Sequence, residues 1–382
     1  MPASNSTPGY ARRAALRCES ALQAVTRRAA RTWGDWRHGN AETAAGTGRC
    51  HCPAGLPEHL VHSEALREAC DLVVDFGTNV QAEGRPARPV AALRPAAARL
   101  RPGATIHVKT DLLEAFVAEL LPQLRHPFVL VTGDSDAAPM QAHRSLLEHP
   151  RLIHWFAQNC DLEGRHPRLT RIPIGCDNPV YTKLEKRLGF LITMAMRRTP
   201  FDPSLARNDI GDQRLLQDVA RGLPPNRSRP PRALCTFHQN QKIVAADVSA
   251  LPERAAAVRT LSAQPACTFV RRRLPQRECW EAHRDYAFEV SPRGNGLDCF
   301  RTWEALVLGC IPIVRRSTLD PLYEDEGLPV VVVREWDEID EPALRRWQDE
   351  RAGRFDAAMR EKLTAGYWLA KIQARARTAG AL

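Results

Sequence analysis

The stretch Tyr286–Val314, YAFEVSPRGNGLDCFRTWEALVLGCIPIV, constrains the fold more than any other part of the chain. Tyr286 to Val290 is a short, mainly apolar run of the length of a buried strand, and Ser291 to Gly296 is dense in turn-forming residues. Asp298 stands where an N-cap belongs, and Phe300, Trp303, Leu306 and Val307 then recur at helical spacing. Gly309 follows at the place of a left-handed C-terminal cap, and Cys310 to Val314 reads as the next buried strand. Strand, glycine-containing turn, helix and strand make one βαβ unit, whose crossover is right-handed by the general rule.

The same unit has the chemistry of an anion site. Backbone N–H groups at the start of a helix are unpaired and the helix dipole favours negative charge there. Gly294 and Gly296, flanking Asn295, let the backbone approach a ligand closely. Arg293 in the turn and Arg301 in the first helical turn can fork onto phosphate oxygens. Glu304, three residues after Arg301, shares its helix face, and a carboxylate there repels phosphate but accepts two hydroxyls of a ribose. Together these groups describe a site for a nucleoside diphosphate. The structural alternative is that Trp303, Leu306, Val307 and Ile311 are simply core, and that Arg301 with Glu304 is a surface ion pair of small value.

Pro292, Gly294, Asp298, Arg301, Trp303, Glu304, Ala305, Gly309, Cys310, Ile311, Pro312 and Trp336 fall on one specific pattern. Over about fifty residues, Ser291 to Ile339, the chain resembles the C-terminal half of the exostosin-like glycosyltransferases. The resemblance implies an α/β protein of GT-B architecture, two Rossmann-type domains with parallel sheets facing a central cleft. It further implies a nucleotide-diphosphate sugar, UDP- or GDP-linked, as donor in the C-terminal domain. The acceptor is then a hydroxyl of a glycan or glycoprotein, with inverting transfer and no divalent metal expected. The donor would be held by Arg293, Gly294, Asn295, Gly296, Asp298, Arg301 and Glu304, with Asn240 and Arg254 as looser matches. Cys299 departs from the pattern, since the family mostly has Ser or Thr there, and this removes a hydroxyl near the phosphates.

At 382 residues, 44% apolar and 26% charged, the chain has the size and composition of two soluble globular domains. Half of its net charge of +10 lies in the first 49 residues, so the remainder suits an enzyme for anionic donors without requiring nucleic acid. A zinc-finger or RNA-recognition pattern is absent, and no nucleic-acid partner is expected. The 11 cysteines are odd in number, and Cys235, Cys299 and Cys310 read as small buried thiols. There is no run of 18 apolar residues, hence no membrane span in the sequence. The family pattern implies the Golgi or secretory lumen; without an anchor, the expectation is a soluble cytoplasmic protein.

Five segments follow in order. Residues 1–60 read as a basic extension in which Ala14 to Thr32 has an amphipathic helical pattern, and Cys50, His51, Cys52, His59 and His62 lack the spacing of a zinc finger. Residues 61–220 alternate strand and helix patterns, with strands at 70–75, 105–109, 127–132, 152–156 and 169–175 and a helix at 112–124, which implies a parallel sheet covered on both faces. A further helix is expected over Tyr181–Met196. Residues 221–232 are proline-rich and read as a linker. Residues 233–345 form the second domain, with 328–333 apolar enough to be a central strand, and residues 346–382 are helices long enough to cross back to the first domain.

Asp134-Ser135-Asp136 ends an apolar strand and supports three readings. In a GT-A enzyme the two carboxylates would share a divalent cation with a diphosphate. In a GT-B cleft, Asp134 or Asp136 would be the general base that deprotonates the acceptor. In neither, they cap a loop. A catalytically silent relative acting as a binding scaffold is the remaining alternative. Asn159, Asp161, His166, Gly175, Asp177 and Asn178 lie among turn residues of a cleft-lining segment whose individual roles spacing does not assign.

Overall fold

The strand-forming segments of the first half are largely apolar, as parallel strands covered on both faces require, and they also bury Thr105, His107, Thr132, His154 and Arg171. In the computed structural model, which describes residues 60–75, 90–136, 139–177, 213–237, 250–270 and 274–378, they form β1 (Leu72–Val74), β2 (Ala104–Lys109), β3 (Phe128–Gly133), β4 (Leu152–Ala157) and β5 (Leu169–Arg171). The sheet is parallel and its spatial order is the chain order, with Ile106 beside Leu72 and Leu130, and Leu130 beside Trp155. Right-handed crossovers between strands laid down in that order all fall on one face. Short helical turns at 90–97 and 110–123 pack together, and that at 140–148 packs on β4.

The other face therefore needs a cover from elsewhere in the chain. It comes from α1 (Ser63–Glu68) and from the C-terminal helix, which packs on β2, β3 and β4. That helix, Ala365–Arg377, is capped by the Thr364 hydroxyl and buries Trp368, Leu369 and Ile372. The expected return of the C-terminus to the first half is thus realised, and Val61 N–H donates to Leu363 C=O at 2.8 Å beside it.

The second half contains β6 (Ala233–Cys235), β7 (Cys267–Phe269), β8 (Phe288–Val290), β9 (Ile311–Arg315) and β10 (Val331–Val333), all parallel. Their order is β10-β9-β8-β6-β7, so the winding direction reverses between β6 and β8. In a doubly wound sheet the crevice at the carboxyl ends of the strands flanking that reversal is the ligand position. Helix α2 (Gln213–Gly222) packs on α4 (Gln276–Glu281) and α5 (Phe300–Val307), while α3 (Ala250–Leu261) follows β6. Both halves belong to one compact unit, Cys52–Leu382. The α/β class with two parallel, Rossmann-type sheets is as the sequence implies.

Several details differ. The stretch 221–232 is no free linker: Arg229 is buried and donates to the carbonyls of Pro224, His283 and Leu308, and Asn226 donates to Ala287 and Gly309. Prolines without periodicity look like a linker in sequence, but here the Asn226 and Arg229 side chains between them bind main-chain carbonyls of the second half. β10 lies at an edge, not the centre; it is apolar because Val331 and Val333 face one core and Val330 and Val332 the other. Phe300 is exposed, not core. Gly309, by contrast, has φ 71° and ends α5 as expected. The helix patterns at Ala14–Thr32 and Tyr181–Met196, and Cys50, His51, Cys52, His59, Asn178 and Asn240, lie outside the described residues.

Candidate functional site

The turn after β8 lies at the carboxyl end of the strand beside the winding reversal. Ser291 N–H donates to Ile313 C=O at 2.8 Å, which holds the turn to the sheet, and the Ser291 hydroxyl lies 2.9 Å from that of Thr302 and 3.2 Å from the Cys299 thiol. Cys299, the departure from the family pattern, is therefore part of this small polar knot.

Arg301 reaches back from the first turn of α5 toward β8. Its Nη1 donates to Pro292 C=O at 3.3 Å and lies 3.5 Å from the Ser291 hydroxyl, and its Nε is 3.7 Å from Glu289 Oε1. The guanidinium sits 5.8 Å from the ring centre of buried Phe237. Among the described residues Nη2 has no hydrogen bond, and the side chain stays partly exposed. A planar fork fixed on three sides with one donor left over is preorganised for an oxyanion.

Two residues of α3 clamp the peptide of Arg293. Glu253 accepts its N–H at 2.9 Å, and the buried Arg254 donates to its carbonyl at 3.0 Å. Burial, and then the neighbouring Arg301, push the Arg254 pKa down, as they must when two cations share one corner. A Cβ at Gly294 would lie 3.5 Å from Arg254 Nη2, so this arginine faces the turn. Arg254, read only as a loose match in the sequence, thus joins Arg293 and Arg301 around it.

The rest of the turn meets the first half of the protein. Asn295 Nδ2 donates to Asp136 at 3.3 Å. Asn159, buried with φ 46°, donates to Ser135 C=O and accepts Asp298 N–H, both at 2.8 Å. A Cβ at Gly296 would come within 2.9 Å of the Asn159 amide. Gly296 accordingly serves close approach of the two halves, not of a ligand.

Asp298 is neither an N-cap nor open to a ligand. Cys299 occupies the N-cap position, and the buried Asp298 carboxylate accepts from Cys299 N–H (2.8 Å), Trp303 Nε1 (2.8 Å) and Ile174 N–H of the first half (2.9 Å). Burial pushes its pKa up to about 6, against the pull of those three donors. Glu304 is also more enclosed than expected. One oxygen accepts the Trp280 indole N–H at 3.0 Å, and burial raises its pKa to about 7, with the Trp280 bond opposing and Asp177 adding. Its other oxygen has no hydrogen bond among the described residues. Arg301 pairs with Glu289, and the expected Arg301–Glu304 pair does not form.

Asp134 and Asp136 differ in circumstance. Asp134 has φ 56°, its carboxylate is 3.1 Å from Arg67, and its carbonyl accepts from the Lys109 ammonium. Asp136 is exposed and faces the turn after β8 through Asn295. Among the described residues no three metal-ligating side chains cluster. His62 caps α1 through Nδ1. A cavity of about 370 Å³ lies elsewhere, lined by Arg165, His166, Arg171, Asp325 and Lys371 and by none of these site residues.

The sequence pattern passes over Glu289 and gives Asn159 a place in a cleft-lining segment but no role. Glu289 left a signal, a lone carboxylate in an otherwise apolar strand; Asn159 left none beyond its place among turn residues.

No protein-family model and no curated protein matches the chain. Among solved structures, one described as trehalose-6-phosphate from E. coli bound with UDP-2-fluoro glucose is similar at 12% identity and TM-score 0.37, over 75% of each chain. A likeness of that degree carries no inference about chemistry.

Proposed function

We propose that the protein is a glycosyltransferase of GT-B type that moves a sugar from a UDP- or GDP-linked donor to an acceptor hydroxyl. The observation that carries this reading is the convergence of Arg254 and Arg301 on the turn at the winding reversal, with Arg301 Nη2 left to donate. Two guanidinium groups about one turn complement the charge that a nucleoside diphosphate gathers as it departs. The exostosin-like pattern from Ser291 to Ile339 supports the same reading and suggests a glycan or glycoprotein acceptor with inverted stereochemistry.

In this mechanism the acceptor oxygen attacks the anomeric carbon while the bond from that carbon to the diphosphate breaks. The acceptor proton passes to Asp136, the exposed carboxylate that faces the turn, and the diphosphate leaves with the bonding pair, stabilised by the arginines and the turn amides. Glu304 contributes one oxygen to the ribose. Asp134, engaged by Arg67, holds the loop that carries Asp136.

A thermal-shift screen across UDP- and GDP-sugars, with and without Mn²⁺, tests the proposal. A true donor at a hundredfold excess over its dissociation constant stabilises the fold by about 2.7 kcal/mol. Absence of any shift overturns the reading, and a shift confined to Mn²⁺ favours the metal-dependent use of Asp134 and Asp136. Stabilisation without transfer or hydrolysis of any donor identifies a silent binding scaffold.

A further inference from the structure

Glu289 is fully buried on β8, the middle strand of its sheet, where an ionised side chain is costly unless it is paired and hydrogen-bonded. Its surroundings meet that demand at one oxygen. Oε1 accepts the Thr236 hydroxyl at 2.6 Å and the Thr236 N–H at 3.3 Å, and it faces Arg301 Nε at 3.7 Å. Oε2 lies 3.3 Å from Nε2 of the buried His283 but makes no hydrogen bond among the described residues. The His283 Nδ1 lies 3.0 Å and 3.2 Å from the carbonyls of Cys279 and Trp280, which hold the ring against this side of Glu289.

The carboxylate thus ties together the chain leaving β6, the chain leaving β8 and the first turn of α5, which are the three elements that border the crevice. Thr236 fixes it from the β6 side, His283 from below, and its remaining interaction is with Arg301. Because Nε is held from behind, the guanidinium plane is turned so that Nη1 meets the turn and Nη2 is left over. A hydrophobic residue at this position would fill the volume but leave Arg301 free to swing.

We infer that Glu289, backed by His283 and Thr236, is a positioning residue that orients Arg301 for the diphosphate of the donor. The inference rests on the donor-site reading above and extends it to a group that touches no ligand. It requires that the effect of Glu289 on nucleotide affinity pass through Arg301, which a residue serving only stability would not do.

A double-mutant cycle in the full chain separates the two roles. UDP and GDP are titrated into the wild type, Glu289→Gln, Arg301→Ala and the double variant, each first shown to be folded by circular dichroism. The expected result is that Glu289→Gln weakens the better-bound nucleotide about tenfold, and that the same change in the Arg301→Ala background costs less than about twofold. Thr236→Val, which removes the hydroxyl that anchors Glu289 Oε1, is expected to weaken binding severalfold, again only when Arg301 is present. If Glu289→Gln does not fold, Glu289→Asp keeps the charge but draws it back from Arg301 and is expected to weaken binding severalfold, again only when Arg301 is present. Equal affinity of Glu289→Gln and wild type, or equal losses in both backgrounds, overturns the inference while the donor site stands. Failure of the wild type to bind either nucleotide overturns the donor-site reading and this inference with it.

Discussion

Replacing Gly296 by alanine tests how the two halves are joined. Gly296 is not among the glycines in a left-handed conformation, so an alanine there meets no backbone strain. What it meets is Asn159, whose Oδ1, Nδ2 and Cγ would stand 2.9, 2.9 and 3.0 Å from the new Cβ. The amide cannot swing aside freely, because it is buried and its two ends hold Ser135 C=O and Asp298 N–H. Overpacking of a well-filled site costs about 1–3 kcal/mol, and each hydrogen bond lost adds about 0.5–1.5 kcal/mol. A destabilisation of about 2–4 kcal/mol is therefore expected, read as a shift of the urea midpoint at constant slope. Asn159→Gly supplies the control, since glycine takes the φ of 46° without penalty and empties the contact. In that background Gly296→Ala is expected to cost under about 1 kcal/mol. An unchanged midpoint in the wild-type background, or an equal cost in both, refutes the close-approach account.

Other consequences are open to measurement. The Glu304 pKa is raised by burial from 4.5 to about 7, so the folded state holds this proton more tightly; the stability it gives is full below about pH 4.5 and is lost as pH rises through about 7. Glu304→Gln should flatten the melting temperature between those limits, leaving the share of Asp298, which is lost in the same direction through about pH 6; an unaltered profile contradicts the assignment. Asp136→Asn should cut sugar transfer by about 10²–10⁴ with nucleotide affinity unchanged, whereas an active variant removes Asp136 as the base. Trp368→Ala should destabilise by about 3–5 kcal/mol, because the C-terminal helix that buries it covers the sheet face that the crossovers leave open, and a loss below 1 kcal/mol speaks against that cover.

The local elements were legible because apolar runs and turn residues report local conformation directly. The five strands of the first sheet, and β8, β9 and β10 of the second, overlap the apolar runs that announce them, and Gly309 marks the end of α5. Strand order was not legible, since nothing in Val331–Val333 distinguishes an edge strand covered on both faces from a central one. The site was legible where a charged side chain is isolated in the chain, as with Arg301. It was misread where a polar residue serves a partner distant in sequence. Asp298 looks like a cap because its partner Ile174 lies 124 residues away, and Gly296 looks like a phosphate glycine because Asn159 is equally remote. The residues that orient Arg301 became visible only once β6, β8 and α5 stood side by side.

The central claim is that the turn after β8 and the arginines around it recognise a diphosphate. Calorimetric titration of UDP against uridine, and of GDP against guanosine, measures that most directly. Saturable binding of one diphosphate, at least tenfold to a hundredfold tighter than its nucleoside and reduced to the nucleoside's level by Arg301→Ala, is the expected result. Equal affinity for nucleotide and nucleoside, or binding indifferent to Arg301, would contradict it.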